Sequence, residues 1–256
     1  MTSYVNGYIT ANVMKFFGAT DWCFAAIFSA TIFPIYCFFI FLAVDLIEYL
    51  KHSAFETPPL TIILLGALWC SIAIPLSFRG AYSAFHAEKG KNPLRVSRIT
   101  KTKVPDMPTW LEQRFTIPYY GAIIFGSIFI EFKYVMDSVW GSQIYAMYGY
   151  LLLNSVLLTI IISLLSILQT YHLLNNLNWH WWWRAFNLGA SGGIYMMVYS
   201  LYFMIYELHL NIFAGELIYF LYMLLCTTCF SIVSGTISVA ASYLFIRHIY
   251  ANVKGE

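Results

Sequence analysis

The chain has 256 residues and a net charge of +2, with 60% of its residues hydrophobic, 19% aromatic and only 10% charged. A surface facing water carries roughly a quarter of its residues as charge, so this composition excludes a soluble domain and makes lipid the solvent of most of the surface. So small a net charge gives no reason to expect nucleic acid as a partner.

Residues 1–15 carry a single basic side chain, Lys15, and many polar ones; residues 1–21 form a cytosolic N-terminal segment and precede an apolar block too long for a cleaved signal peptide. The block therefore reads as a retained signal-anchor. Six spans follow in chain order, at 22–46, 60–78, 118–140, 144–168, 185–206 and 217–246. Each is long enough for a hydrocarbon core of about 30 Å at 1.5 Å per residue. All are expected to be helices, because lipid offers no partner to an open backbone. The fold class is thus an all-α polytopic membrane protein, a bundle of about six transmembrane helices.

The connection between spans two and three, residues 79–117, carries Arg79, Lys89, Lys91, Arg95, Arg98, Lys101, Lys103 and Arg114 against Glu88, Asp106 and Glu112. Excess Lys and Arg mark the cytosolic side. With six spans, that placement also puts Lys15, Arg184, Arg247 and Lys254 in the cytosol, 12 of the 14 basic residues, together with both termini. Pro93, Pro105 and Pro108 keep the loop from forming a long helix. Spans one and two cover 22–78, spans three and four 118–168, and spans five and six 185–246; an interfacial segment at 169–184 and a tail at 247–256 complete the cytosolic face.

Glu131 lies deep within the third span, where an ionised carboxylate costs several kcal/mol unless it meets a partner or water. It should face the bundle, either as a proton- or substrate-linked site or as a structural carboxyl tying helices together. Lys133 and Asp137, one turn apart, are able to pair locally. The run Trp179-His180-Trp181-Trp182-Trp183-Arg184 cannot share one helix face, since successive residues turn by about 100°. It suits an interfacial belt, with Trp181, Trp182 and Trp183 at headgroup depth and Arg184 reaching phosphates.

Span five carries Gly189 and Gly193 in a G-x-x-x-G pair, and span six carries Ser234, Ser238 and Ser242 beside Gly235. Such small-residue faces permit close helix contact. They serve either packing within this bundle or a groove for another protein's transmembrane helix. Cys226 and Cys229 form a C-x-x-C without a second pair, which reads as packing rather than redox or metal chemistry. No nucleophile elbow, phosphate-binding glycine loop or H-E-x-x-H is present, and the six histidines lack ligand spacing. These features point away from an enzyme, and no catalytic residue, metal or cofactor is expected.

Several stretches in order carry a resemblance. Tyr4-Val5-Asn6-Gly7-Tyr8-Ile9-Thr10-Ala11 is similar to Y-V-S-G-Y-x-S-A, Pro75-Leu76-Ser77-Phe78-Arg79-Gly80-Ala81-Tyr82 to P-L-x-F-x-G-A-Y, and Asn92-Pro93-Leu94-Arg95 to a basic N-P-x-R loop. Phe129-Ile130-Glu131-Phe132 resembles F-I-E-x, Trp181-Trp182-Trp183-Arg184-Ala185-Phe186 resembles W-W-W-R-S-F, and Gly235-Thr236-Ile237 continues the series. Together they resemble the membrane-embedded C-terminal part of the nonaspanins, the transmembrane-9 superfamily of the Golgi and endosomes.

The resemblance implies a non-enzymatic trafficking factor that sorts or localises other membrane proteins through transmembrane-helix contacts. It also implies that the ending Lys254-Gly255-Glu256 binds the COPI coat, with Lys254 and Glu256 as the recognised residues. Nonaspanins carry a large lumenal domain and three earlier spans with no counterpart here, which reads either as a truncated paralogue or as a fragment. The acidic pair that the family places before its Trp run is replaced by Leu177 and Asn178. Two further classes remain: a small-molecule or proton transporter using Glu131, and a structural subunit of a larger membrane complex.

Overall fold

A computed structural model describes residues 2–16, 21–51, 58–87, 112–140, 144–208 and 212–252. The described residues form α1 (Thr2–Phe16), α2 (Trp22–Leu50), α3 (Pro59–His86), α4 (Gln113–Trp140), α5 (Ile144–Asn175), α6 (Trp182–Phe203), a five-residue π-helix (Met204–Leu208) and α7 (Phe213–Asn252), with no strand among them. Among the described residues, six helices are long and apolar enough to cross a membrane, at Trp22–Leu50, Leu60–His86, Arg114–Val139, Tyr148–Asn175, Trp182–Leu208 and Phe213–Ala251. These are the six spans expected from hydropathy. Most of the basic connector, residues 88–111, lies outside the described residues, as do Lys254 and Glu256.

The distribution of side chains is that of a protein in lipid. Phe24, Phe39, Leu60, Ile63, Leu152 and Leu164 are exposed, whereas Ser77, Ser166, Thr170, Ser200, Ser234, Ser238 and Ser242 are buried. Apolar groups have nothing to escape in hydrocarbon, and hydroxyls do. Their usual solution is local: Thr31 donates to the Ile27 carbonyl at 2.9 Å, Thr159 to Ser155 at 2.7 Å and Ser231 to Thr227 at 2.8 Å.

The chain divides into two packed units, Met1–Asn92 with Ile212–Tyr222, and Pro93–Asn211 with Met223–Glu256. In the first, α1 lies against the C-terminal half of α3. Residues 1–21, which the sequence presents as an N-terminal segment before the first span, thus contain a packed helix. The contact depends on two glycines, for a Cβ at Gly7 would collide with the Ser77 carbonyl and one at Gly80 with the Tyr4 carbonyl. Around that crossing Ala11, Ala26, Ala81 and Ala84 form a buried cluster, against which Trp22 packs. The Trp22 ring lies 5.2 Å from Phe85 and 5.5 Å from Phe78. Ser29 of α2 accepts hydrogen bonds from Asn6 at 3.3 Å and Thr10 at 3.1 Å, giving α1 a polar attachment to a second helix.

Lys15, at the last turn of α1, donates to the carbonyls of Ala84, Phe85 and Ala87 at the end of α3. Those carbonyls have no further helical N–H to accept from, and the partial negative charge of a helix C-terminus favours an ammonium there. Lys15 therefore caps α3 from a neighbouring helix.

In the second unit, Tyr120, Ile124, Ile128, Leu158, Ile162 and Leu188 from α4, α5 and α6 form the main core, with Leu165, Phe230 and Ile237 packed against it. Close approach recurs: a Cβ at Gly121 would lie 2.8 Å from the Tyr195 ring, and one at Gly192 would lie 2.8 Å from Ile124. The Tyr195 hydroxyl donates to the Pro118 carbonyl at 2.9 Å, closing the α4–α6 contact.

Overpacking a tight contact costs about 1–3 kcal/mol or more. Gly7→Leu and Gly80→Leu are each expected to lower the thermal unfolding midpoint of the detergent-solubilised protein by several degrees. Gly126→Leu, at a position with no neighbouring atom within 4 Å of a new Cβ, should leave it unchanged.

Candidate functional site

The residues singled out by sequence fall into three places in the second unit and one outside the described residues. Gly189, Gly193, Ser234, Gly235 and Ser238 come together as a single interface between α6 and α7. A Cβ at Gly189 would meet the Ser234 carbonyl and lie 2.7 Å from the Ser238 Cβ, one at Gly193 would meet the Ser231 hydroxyl, and one at Gly235 would lie 2.7 Å from the Phe186 ring. Ser234 and Ser238 are wholly buried, and Ser238 donates to the Ala185 carbonyl at 2.5 Å. The small-residue face is therefore filled by this chain's own helices. It packs α6 against α7 and leaves no groove on these residues for another protein's helix, because the same glycines that would admit a visitor already admit α7.

α5 joins this interface through hydroxyls that the serine stripe of α7 did not reveal alone. Ser166 donates to the Ser238 carbonyl at 2.6 Å, lies 2.5 Å from the Ser242 hydroxyl, and Thr170 donates to Ser242 at 2.8 Å. Each hydroxyl has one hydrogen. Since that of Ser166 goes to the carbonyl, Ser242 must donate to Ser166 and accept from Thr170. The order Thr170, Ser242, Ser166, Ser238 carbonyl is a directed chain that links α5 to α7. The signal was present in sequence as Ser166 and Thr170, four apart on one helix face.

Glu131 sits beside the buried stripe of α4 formed by Tyr120, Ile124, Ile128, Phe132 and Met136. It is half-buried and makes no hydrogen bond or ion pair with another described residue. Lys133 and Asp137 are both exposed, and no ion pair joins them. On the facing side, Phe125, Phe129 and Phe132 gather around Tyr199, whose ring lies 5.1 Å from Phe129 and 5.8 Å from Phe132. This aromatic wall was not anticipated, since its α4 and α6 members are distant in sequence.

Trp181 and Arg184 are half-buried at the start of α6, while Trp182 and Trp183 are exposed. The rings fan around the helix: Trp179 contacts Trp182 at 5.7 Å, and Trp183 contacts Phe186 at 6.1 Å, the ring that covers Gly235. The turn before this run is defined by Leu177, whose φ is 55°. The Leu177 N–H donates to the Leu174 carbonyl at 3.0 Å and the Asn178 N–H to the Leu173 carbonyl at 3.0 Å. That pair of bonds is a Schellman ending, which normally places glycine where Leu177 stands. The Asn178 side chain then accepts the His180 N–H at 2.9 Å.

Cys226 and Cys229 are free thiols, and no cluster of three or more potential metal ligands occurs among the described residues.

The family model described as endomembrane protein 70 matches residues 1–213. Human transmembrane 9 superfamily member 4 is 30% identical over 233 residues, covering 91% of this chain and 36% of that protein. Arabidopsis thaliana transmembrane 9 superfamily member 9 is 29% identical over 248 residues, covering 97% of this chain and 38% of that protein. Rat transmembrane 9 superfamily member 2 is 30% identical over 248 residues, covering 97% of this chain and 37% of that protein. The chain thus spans less than two-fifths of the length of these curated relatives. No solved structure gives a significant match.

Two substitutions test these assignments. Gly189→Leu should separate α6 from α7 and abolish a monodisperse size-exclusion peak. Leu177→Gly should raise stability by about 1 kcal/mol, because glycine adopts a positive φ at little steric cost, read as a higher unfolding midpoint.

Proposed function

The chain belongs to the endomembrane protein 70 family of transmembrane 9 proteins, and from that premise we propose that it is a membrane trafficking factor that assists the sorting and localisation of other membrane proteins in the Golgi and endosomes. The observation that carries this reading is where the polar chemistry lies. Many hydroxyls of the second unit are spent on helix-to-helix and local carbonyl bonds, and among the described residues many large apolar side chains are exposed. Such a surface supports lateral contact with partners within the bilayer, through van der Waals packing.

Client transmembrane helices would meet exposed faces such as that of α2, which presents Phe24, Phe28, Ile32 and Phe39, rather than the closed α6–α7 seam. Lys254 and Glu256 couple the complex to COPI coat at the cytosolic face, with the basic connector and both termini on the same side. Trp181, Trp182, Trp183 and Arg184 hold the start of α6 at the headgroups there. The test is direct: Lys254→Ala with Glu256→Ala should release the protein from the Golgi and weaken coat capture in a pulldown. Unchanged location and capture would remove the coat assignment.

One observation favours a second reading. Glu131 is half-buried without a described partner, as a proton- or substrate-linked carboxylate in a transporter would be. For the trafficking role, Glu131→Gln should change folding or client yield while liposomes containing the purified protein show no flux. A proton or solute flux that Glu131→Gln abolishes would establish the transporter instead.

A further inference from the structure

Among the described residues, Glu131 of α4 is a carboxylate at membrane depth without a partner. It is half-buried, enters no hydrogen bond or ion pair, and its oxygens are not enclosed by the protein. It lies eight residues before Val139, the nearer end of its span, which is about 12 Å at 1.5 Å per residue. Glutamate is too short to reach the headgroups from there, and hydrocarbon offers it neither charge nor hydrogen bond.

The register of α4 against α5 adds a second unmet group at the same level. Tyr134 stacks on Tyr150 with ring centroids 5.0 Å apart, and Ile128 shares a buried cluster with Leu158. Glu131 is midway between Ile128 and Tyr134, and Asn154 is midway between Tyr150 and Leu158, so the two stand level across the contact of these antiparallel helices. Asn154 is half-buried, and its Oδ1 is enclosed without a donor. Two acceptors thus share one level, and what the site lacks is N–H donors and positive charge. The approach from lipid is open, since Ser127, one turn from Glu131, is exposed and small. Its hydroxyl is already committed to the Ile124 carbonyl at 2.8 Å.

We propose that this α4–α5 edge docks a transmembrane helix of a client protein that carries a lysine or arginine at the depth of Glu131. The inference rests on the trafficking reading and names the feature by which a client is recognised.

Charge complementarity selects the occupant. An ammonium or guanidinium supplies several N–H donors and no acceptor. In hydrocarbon it has the same unmet need as Glu131, so pairing relieves both helices at once, and the low dielectric strengthens the attraction. An acyl chain brings no donor, and the ammonium of a phospholipid stays with the headgroups. A second copy of this chain does not fit. Its basic residue at that depth, Lys133, follows Glu131 by two positions, which at about 100° per residue sets it roughly 160° away around α4. A twofold contact between two α4 helices that buries Glu131 therefore leaves Lys133 outside.

The experiment places the full chain, with benzoylphenylalanine replacing Ser127, in phosphatidylcholine nanodiscs together with a synthetic polyleucine transmembrane helix. That helix carries a single lysine about 12 Å from one end. Its crosslinking is expected to exceed that of an all-leucine helix by about tenfold or more, as for a desolvated charge pair. Glu131→Gln, which keeps the shape, should bring the lysine helix down to the leucine level at the wild-type unfolding midpoint. Glu131→Lys should transfer the preference to a helix with glutamate in place of the lysine. Should either variant fail to fold, the comparison of lysine and leucine helices on the unchanged Glu131 decides alone. Equal crosslinking of those two helices, or a lysine preference that survives Glu131→Gln, overturns the proposal. So does a crosslink formed chiefly to a second copy of the chain, or a proton flux that Glu131→Gln abolishes, which assigns the carboxylate to transport. The trafficking reading is judged separately, by client delivery in cells. Delivery unchanged on removing the protein refutes that reading even where the lysine helix binds, and altered delivery without a lysine preference refutes only this docking site.

Discussion

Helices in hydrocarbon gain nothing from hiding apolar side chains from one another, so what holds them is the distance of closest approach. Here that distance is set by residues with little or no side chain. Gly7 and Gly80 bring the backbones of α1 and α3 into contact, and Gly189 and Gly193 do so for α6 and α7. Wherever backbones approach this closely, carbonyls of one helix come within reach of hydroxyls on another, as with Ser238 and Ala185 or Ser166 and Ser238. Dispersion and hydrogen bonding thus arise from the same small residues. The remainder of each helix surface is free to be as apolar as the lipid around it.

This constraint bears on how a protein of the endomembrane protein 70 family meets other molecules. A small-residue face attracts any close-fitting helix, including those of its own chain, and the α6–α7 seam shows the chain's own helix occupying it. Elsewhere the packing is incomplete. A groove between α2 and α3 is such a place, because Pro34 disturbs one wall and Gly66 lowers the other. The lysine that ends α1 illustrates the opposite case, in which an exposed helix end is closed from a neighbouring helix through Lys15 and three carbonyls of α3.

Much was legible in the linear chain. Six spans follow from runs of apolar residues, and their cores coincide with the helices of the structure to within a few residues at most ends. The small-residue pattern of Gly189, Gly193 and Ser238 lies where α6 meets α7, but that partner cannot be read from the chain: a G-x-x-x-G face is the same whether α7 or a foreign helix lies on it. α1 was less legible, since its polar, weakly apolar residues resemble a surface segment until Gly7 is set against Ser77. In sequence Leu177 stands out only as the residue in place of an acidic one. Its positive φ has no sequence signature, because leucine rarely takes it.

The sequence by itself determined the solvent, the number of spans and the family, because hydropathy and motif order are properties of residues taken along the chain. Tertiary structure alone decided that the small-residue seam is closed, that α1 is a packed helix capping α3, and that a groove remains between α2 and α3. The physical reason is that close approach and its failure are relations between helices distant in sequence. A glycine states only that a neighbour may come near, and it takes the folded chain to show whether one has.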